Sequence, residues 1–209
     1  MGFVSFGKKS DENDKTLAGL INRSLTNITI PDTVTNIGNY CFYNYSKLTS
    51  VSISDSVTSI GVQAFNGCNN LSNIEIPKRV KEIGIYAFNN CSSLKSINIP
   101  EGMTAIRAAT FNSCANLLKI IIPERVISIE NCAFQNCSKL TELILLCNNT
   151  ANLNNVNALN NTPIAKGTGY IYVHKVLLED YKTATNWVTY ADQFRAIEDY
   201  PDIINGGEK

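Results

Sequence analysis

The stretch that decides the fold is residues 71–93, LSNIEIPKRVKEIGIYAFNNCSS. The same arrangement recurs every 23 residues, because leucine, phenylalanine and cysteine each form a column with that spacing. The columns are Leu25, Leu48, Leu71, Leu94, Leu117 and Leu140; Phe42, Phe65, Phe88, Phe111 and Phe134; and Cys68, Cys91, Cys114 and Cys137, with Tyr45 in the first cysteine place. A fixed period of this length is typical of a repeat protein in which each unit is one lap of a coil.

Each unit contains residues that predict its own strand, corner and turn. Ile74 and Ile76 alternate with polar residues, which is the period of a half-buried strand. Pro77 lacks a backbone N–H and is expected to end that strand, and Gly84 is expected to permit a sharp corner. The column that contains Asn90 holds residue types that suit tight turns, so it is expected to close the lap. Its members are Asn44, Gly67, Asn90, Ser113 and Asn136.

One lap is too small to be stable by itself. About eight inward side chains contribute roughly 1.5 to 3 kcal/mol each on burial, whereas ordering a unit of this length costs on the order of 35 kcal/mol. Stacking makes the apolar columns continuous and gives each strand a neighbour above and below. The repeats are therefore predicted to form one cooperative body.

The consensus LxxIxIPxxVxxIGxxAFxxCxx resembles the BspA-like, treponemal class of leucine-rich repeats, from residue 25 to about residue 145. The resemblance implies a curved right-handed solenoid with parallel strands on the concave side. It also implies a surface protein, of bacteria mostly and of some protists, that binds proteins or host surfaces. Arg107 and Glu130 depart from the pattern because they replace the corner glycine.

The repeats set the expected organisation of the chain. Residues 1–24 are predicted to be a lead-in and N-terminal cap, with a short helix over residues 16–23, and residues 25–146 to be five full repeats and a partial sixth. The solenoid is expected to end there, because Leu146 and Cys147 replace the strand-ending proline. Residues 147–169 are expected to form an asparagine-rich crossing, with a strand-like or helical turn around residues 153–159. Residues 170–198 resemble the strand and helix cap of bacterial repeat proteins, and residues 199–209 are a tail.

Charge and composition exclude several classes of function. The 209 residues carry 18 basic and 18 acidic side chains, and the basic ones are scattered, which disfavours a nucleic-acid partner. No apolar run is long enough to span a membrane, and the N-terminus lacks an apolar export core. We therefore expect no nucleic acid and no membrane insertion.

No catalytic or metal-binding pattern stands out. His174 is the only histidine, and a surface or helix-start role is favoured over a catalytic one. The column cysteines are interpreted as small buried side chains, with a disulfide between laps as the less favoured alternative. Cys132 and Cys147 fall outside the column and are candidates for exposed thiols. We predict a protein that is not an enzyme and needs no cofactor or metal.

What remains is the surface of the concave face, where two outward columns are the candidate binding residues. They are Asn27, Ser50, Asn73, Ser96, Lys119 and Glu142, and Thr29, Ser52, Glu75, Asn98, Ile121 and Ile144. The first four laps offer small polar groups and the last two offer isoleucine. Either the crossing or the cap covers these isoleucines, which we favour, or they form a patch that binds a partner.

The leading hypothesis is a non-enzymatic interaction scaffold of the adhesion type, which binds a protein or a glycan on another surface through the concave face. The alternative is a structural or receptor-binding component of a larger assembly, such as a phage-derived particle, with residues 1–24 as its attachment segment. The resemblance implies a cell-surface or secreted protein, although the chain shows no signal peptide. Self-association stays open.

Overall fold

The structure of the protein, a computed structural model, describes residues 24–204. The helical N-terminal cap predicted over residues 16–23 lies outside the described residues, as do residues 205–209. Within the described range, the chain forms the expected solenoid of stacked laps, with parallel strands on its concave face.

Each lap contributes a first strand on the concave face and a second, two-residue strand just before the corner glycine position. The first strands are β1 (Asn27–Ile30), β3 (Ser50–Ile53), β5 (Asn73–Ile74), β7 (Ser96–Ile97), β9 (Lys119–Ile122) and β11 (Glu142–Leu145). The second strands are β2 (Asn36–Ile37), β4 (Ser59–Ile60), β6 (Glu82–Ile83), β8 (Ala105–Ile106), β10 (Ser128–Ile129) and β12 (Asn152–Leu153). The first strands pair in two groups, β1 to β7 and β9 to β11, and within each group the register advances by one repeat per lap. Asn27 thus lies opposite Ser50, Ser50 opposite Asn73, and Lys119 opposite Glu142.

A single core runs through the laps. Five of the six column leucines are fully buried, whereas Leu25 in the first lap is 38% exposed. The phenylalanine rings of successive laps stack with centroid separations of 5.1, 5.2, 5.8 and 5.7 Å. Their backbones are joined as well, since the N–H of Phe65 donates to the carbonyl of Ala87 at 2.8 Å in the next lap. Neighbouring laps therefore share both apolar contact and hydrogen bonds.

The cysteine column is part of this ladder of bonds. Cys68, Cys91 and Cys114 each donate from Sγ to the phenylalanine carbonyl of the preceding lap at 3.2 Å, and Cys137 does so at 3.0 Å. All the cysteines that the structure describes are free thiols. A buried thiol here fills space like an apolar side chain and also supplies a weak donor.

The tight turns lie partly where the sequence pattern placed them. The Asn90 column has positive φ, from 57° to 78°, as its residue types indicate. A second column with positive φ has no such signature: Tyr40, Gln63, Tyr86, Ala109 and Cys132. Gly84, expected to permit a sharp corner, does not have positive φ. A Cβ there would lie 2.6 Å from backbone atoms of Gly61 and Val62, so close contact between laps requires the glycine.

The solenoid does not end at Leu146, contrary to the expectation. Strand β12 lies within the predicted crossing and pairs with β10, with Asn152 opposite Ser128. A 3-10 helix over Val156–Leu159 then occupies the outer-turn place, where Phe134 donates to the carbonyl of Ala158 at 2.8 Å. Residues 147–169 thus complete a sixth lap of irregular length. The loss of the proline changed the sequence pattern and left the stacking intact.

The concave sheet continues into the C-terminal region through β13 (Tyr170–Val173), which pairs with β11, and β14 (Phe194–Ala196), which pairs with β13. Between them lie 3-10 turns over Lys175–Leu177 and Trp187–Gln193 around helix α1 (Leu178–Thr183). A final 3-10 turn covers Ile197–Asp199. The predicted strand and helix are both present, and β14 returns to the sheet after them.

Side chains of this region satisfy the last edge of the second-strand sheet. The N–H of Ala151 donates to the Tyr181 hydroxyl at 3.0 Å, and Trp187 Nε1 donates to the Ala151 carbonyl at 2.7 Å. Asn186 Nδ2 donates to the Leu153 carbonyl at 2.6 Å. An open strand edge invites pairing with other chains, and here polar side chains take the place of the missing next strand. The region therefore works as a cap.

Candidate functional site

The concave face divides into two parts that differ in exposure. Laps one to four form the open half, where all eight candidate side chains are exposed to solvent: Asn27, Thr29, Ser50, Ser52, Asn73, Glu75, Ser96 and Asn98. Strands lie about 4.8 Å apart, so the four laps present a polar strip roughly 14 Å wide. No described residue covers this strip.

Two sets of side chains on the open half already use their hydrogen-bonding capacity. Ser50 Oγ donates to Asn27 Oδ1 at 2.5 Å. Asn98 bridges to the neighbouring lap, since its Oδ1 accepts from the N–H of Ile76 at 2.8 Å and its Nδ2 donates to the Ile76 carbonyl at 2.7 Å. Asn98 therefore joins two laps, and its place in the binding set is weaker than the sequence suggested.

The centre of the open half is different. Among residues 24–204, the side chains of Ser52, Asn73, Glu75 and Ser96 have no hydrogen-bond or ion-pair partner. Their donors and acceptors face solvent, and Asn73 in the middle lap lies on a strand that pairs in parallel with a strand on each side. Such groups can exchange water for a partner's polar groups without rearrangement of the protein.

The covered half consists of laps five and six, and here the structure corrects the candidate set. Ile144 is fully buried, in a small apolar cluster with Tyr172 of β13 and Ile197. Ile121, Leu146 and Ile203 pack against that cluster and remain partly exposed. Ile144 therefore cannot contact a partner. The cap and the tail cover it, and this is the favoured alternative of the two that the pattern left open.

Two charged candidates lie at the margin of the covered half. Lys119 and Glu142 are half-buried, with 4.0 Å between Lys119 Nζ and a Glu142 carboxylate oxygen. Lys119 Nζ also donates to the backbone carbonyl of Ile203 in the tail. Beside them, burial and then the charge of Glu142 raise the pKa of the Tyr172 phenol, which keeps the hydroxyl protonated.

Sequence reasoning missed the part that the tail plays. The ring of Tyr200 meets that of Tyr172 edge-on, with centroids 5.4 Å apart. Arg195 lies 4.4 Å above the ring of Tyr170, which extends the covered half along β13. The only signal in the sequence was an apolar pair, Ile203 and Ile204, in a segment that otherwise reads as polar.

The buried thiols do not form a reactive centre. Burial raises the pKa of Cys68 and Cys137 to about 12, and burial likewise raises the pKa of Cys91 and Cys114 well above the ordinary value. Cys147 is buried as well, contrary to the expectation of an exposed thiol. A nucleophilic cysteine needs a lowered pKa and access, and these residues have neither.

His174 lies where the sequence placed it, before the turn over Lys175–Leu177. Its Nδ1 is 3.4 Å from one carboxylate oxygen of Glu198, and the other carboxylate oxygen accepts from the N–H of Lys175 at 2.9 Å. Within residues 24–204, no group of three potential ligands from histidine, cysteine, aspartate and glutamate is placed to hold a metal ion. The described part of the chain also has no helix with the length and apolar character that a membrane crossing needs.

Comparison with known families gives a match over the repeats. Residues 20–141 match the model of the BspA type leucine-rich repeat region, in six copies. None of the curated proteins matches this chain.

Solved structures give the same architecture. A T. pallidum leucine-rich repeat protein is 31% identical, with a TM-score of 0.56, over 58% of this chain and 59% of that one. A leucine-rich repeat protein from Bacteroides ovatus is 30% identical, with a TM-score of 0.55, over 73% of this chain and 44% of that one. One from Eubacterium ventriosum is 25% identical, with a TM-score of 0.55, over 66% and 43%. The match spans less than two thirds of each of those proteins.

Proposed function

Because the chain belongs to the BspA type leucine-rich repeat family, we propose that it is a non-enzymatic scaffold that binds a protein on another surface through the open half of its concave face. Leucine-rich repeat proteins are generally interaction scaffolds and generally bind proteins. The proposed location is the cell surface or the medium outside it, as the family resemblance implies.

One observation carries the proposal: the open half holds unpaired polar side chains on a rigid, uncovered strip. Ser52, Asn73, Glu75 and Ser96 come from three successive laps and face solvent. Their positions are fixed by the 23-residue register, so a partner meets a preformed surface and little ordering is needed on this side of the complex.

The shape and chemistry of the strip suit a macromolecule better than a small substrate. A site for a small molecule is normally a concave, mostly apolar pocket with a few polar groups. The strip is polar and open. Its single acidic side chain, Glu75, gives it little net charge, which agrees with a protein partner and disfavours a polyanion.

The experiment is binding to a panel of extracellular proteins and cell-surface glycans, with the parent chain and the variants Ser52→Arg and Asn73→Arg. The matched control is Asn70→Arg, because Asn70 is also exposed but lies on an outer turn away from the concave face. We expect the face variants to lose at least about tenfold in affinity for the partner and the control to bind like the parent. All variants should keep the parent's thermal midpoint.

Equal binding by the parent and both face variants would show that the open half is not the contact surface. Binding to glycans alone would mean that the partner is a glycan and not a protein. A turnover of any panel member by the parent chain would contradict the non-enzymatic part.

A further inference from the structure

Residues 200–204, here called the strap, cross the covered half of the concave face. Three different contacts hold the strap: Ile203 packs on the cluster formed by Ile144 and its neighbours, the Tyr200 ring meets the Tyr172 ring edge-on, and Lys119 donates to the Ile203 carbonyl. None of these contacts belongs to the repeat pattern. The strap is thus an added occupant of a surface that the last laps and the cap build together.

Most of the strap is exposed to solvent. Tyr200 is 43% exposed and Ile204 is 36% exposed, and Pro201 and Asp202 are also exposed. The strap pairs with no strand, and the backbone bond described within it, from the N–H of Ile203 to the Tyr200 carbonyl at 3.0 Å, is internal. A segment with so few contacts opens at low free-energy cost compared with the core laps.

The contacts also describe what this surface recognises. The apolar cluster beneath the strap contacts an aliphatic side chain, that of Ile203. Lys119 donates to the backbone carbonyl of the same residue, a group that any peptide has. The Tyr172 ring contacts an aromatic side chain three residues before that isoleucine. The chemistry is that of a short peptide segment of the form aromatic-x-x-aliphatic. The strap supplies this as Tyr200 and Ile203.

We propose that the strap is a tethered peptide ligand, which occupies a peptide-binding site on the covered half until a partner's segment of the same chemistry displaces it. The inference rests on the proposed function, because it gives the concave face a second site for the same partner class. It predicts that an incoming peptide competes with the strap. A short tether gives the strap an effective concentration on the order of 1 mM, so a free peptide binds the parent chain weakly.

The test uses the full chain and a synthetic peptide of residues 199–209, DYPDIINGGEK, with a fluorescent label on its N-terminus. The variant Ile203→Asp weakens the strap by placing a carboxylate against the apolar cluster. The matched control is Ile204→Asp, since the same change one residue later alters a more exposed side chain that is not part of the cluster contacts. Binding is followed by fluorescence polarisation.

We expect the peptide to bind the Ile203→Asp chain at least about tenfold more tightly than it binds the parent or the Ile204→Asp chain. A peptide that itself carries Ile203→Asp should lose this binding. The Tyr200→Ala chain, which removes the ring contact and leaves the isoleucine, should give an intermediate gain.

Several results would overturn the proposal. Equal peptide binding by the parent and by both isoleucine variants shows that the strap does not compete, and absence of binding to any of them shows that there is no peptide site. Loss of folding with Ile203→Asp but not with Ile204→Asp makes the strap a structural element. These outcomes are independent of the open-half variants, so the strap can fail while the proposed function stands, and the reverse.

Discussion

Raising the pH from 8 to 10 should lower the free energy of unfolding far more than in an ordinary domain, because of the buried thiols. Five cysteines are buried: Cys68, Cys91, Cys114, Cys137 and Cys147. Burial raises the pKa of each above the ordinary value of 9.0, to about 12 for Cys68 and about 11 for Cys147. In the unfolded chain the thiols return to the ordinary value.

Stability falls as the pH rises because the folded and unfolded states bind different numbers of protons. Between pH 9 and about 11 the folded thiols stay protonated, whereas the unfolded ones lose their protons. The folded state then binds more protons, and stability falls as pH rises. The stabilising contribution is complete below pH 9 and is lost as the pH rises toward the folded pKa values. One pH unit above the unfolded pKa corresponds to about 1.4 kcal/mol per thiol.

The five buried thiols together therefore contribute a loss of about 7 kcal/mol at pH 10, which is comparable with the whole stability of many domains. Burial also raises the pKa of the partly buried Cys41 to about 12, so its thiol adds to this loss. The assay is urea unfolding at pH 8, 9 and 10 with a non-thiol reductant, followed by the circular dichroism of the sheets. The midpoint should fall steeply above pH 9.

The control is the double variant Cys91→Ala and Cys114→Ala. It lacks two of the five buried thiols, so its loss at pH 10 should be about 3 kcal/mol smaller than that of the parent, whatever its stability at pH 8. A flat profile in the parent, or an equal slope in parent and variant, would refute the reasoning that the thiols are buried and neutral.

Three further predictions concern stability and are checked by urea unfolding at pH 7. Phe88→Ala should cost about 3 to 5 kcal/mol, because the ring is fully buried between two stacked neighbours; a cost below that of an exposed site would contradict a continuous stack. Gly84→Ala should cost about 1 to 3 kcal/mol, because the added Cβ would meet the backbone of the preceding lap; a neutral effect would mean that the laps can move apart. Trp187→Phe should cost about 1 to 3 kcal/mol, because it leaves the Ala151 carbonyl at the sheet edge without its Nε1 donor; an unchanged midpoint would mean that the edge needs no cap.

The fold of the repeats could be predicted from the sequence because the signal is repeated. One unit such as residues 71–93 is ambiguous by itself, but five copies in phase fix the lap length, the strand and the inward columns together. The turns around Asn90 were predictable because Asn and Gly tolerate positive φ. The turn column that contains Tyr86 was not, since the stacked backbone imposes its φ of 58° on a bulky residue.

The sixth lap was not predictable for a related reason. Beyond β11 the repeat length changes, and Glu142 pairs with Tyr170, which is 28 residues further along. A search for a fixed period fails there even though parallel pairing continues. Stacking depends on where the strands meet, and a loop of different length can connect them without disturbing the sheet.

The candidate site was predictable for the open half only. There each side chain's exposure follows from its place in the repeat, which the sequence shows directly. In the covered half, exposure depends on Tyr172 and Ile203, which come from segments that obey no period. Long-range contacts of this kind leave no local pattern in a single sequence, so the sequence favoured a cover over Ile144 but did not identify the residues that form it.

The two halves of the concave face follow from one change along the chain. Laps one to four carry small polar residues on the outward columns, so water covers them and nothing else is required. When these columns become Ile121 and Ile144, the exposed apolar surface must be covered, and the chain covers Ile144 and its neighbours with β13, Ile197 and the strap. The part of this cover that β13 supplies is fixed by strand pairing, whereas the strap is held by a few side-chain contacts. Only the latter can be exchanged for a partner, which is why the strap, and not the cap, is where a second binding event is expected.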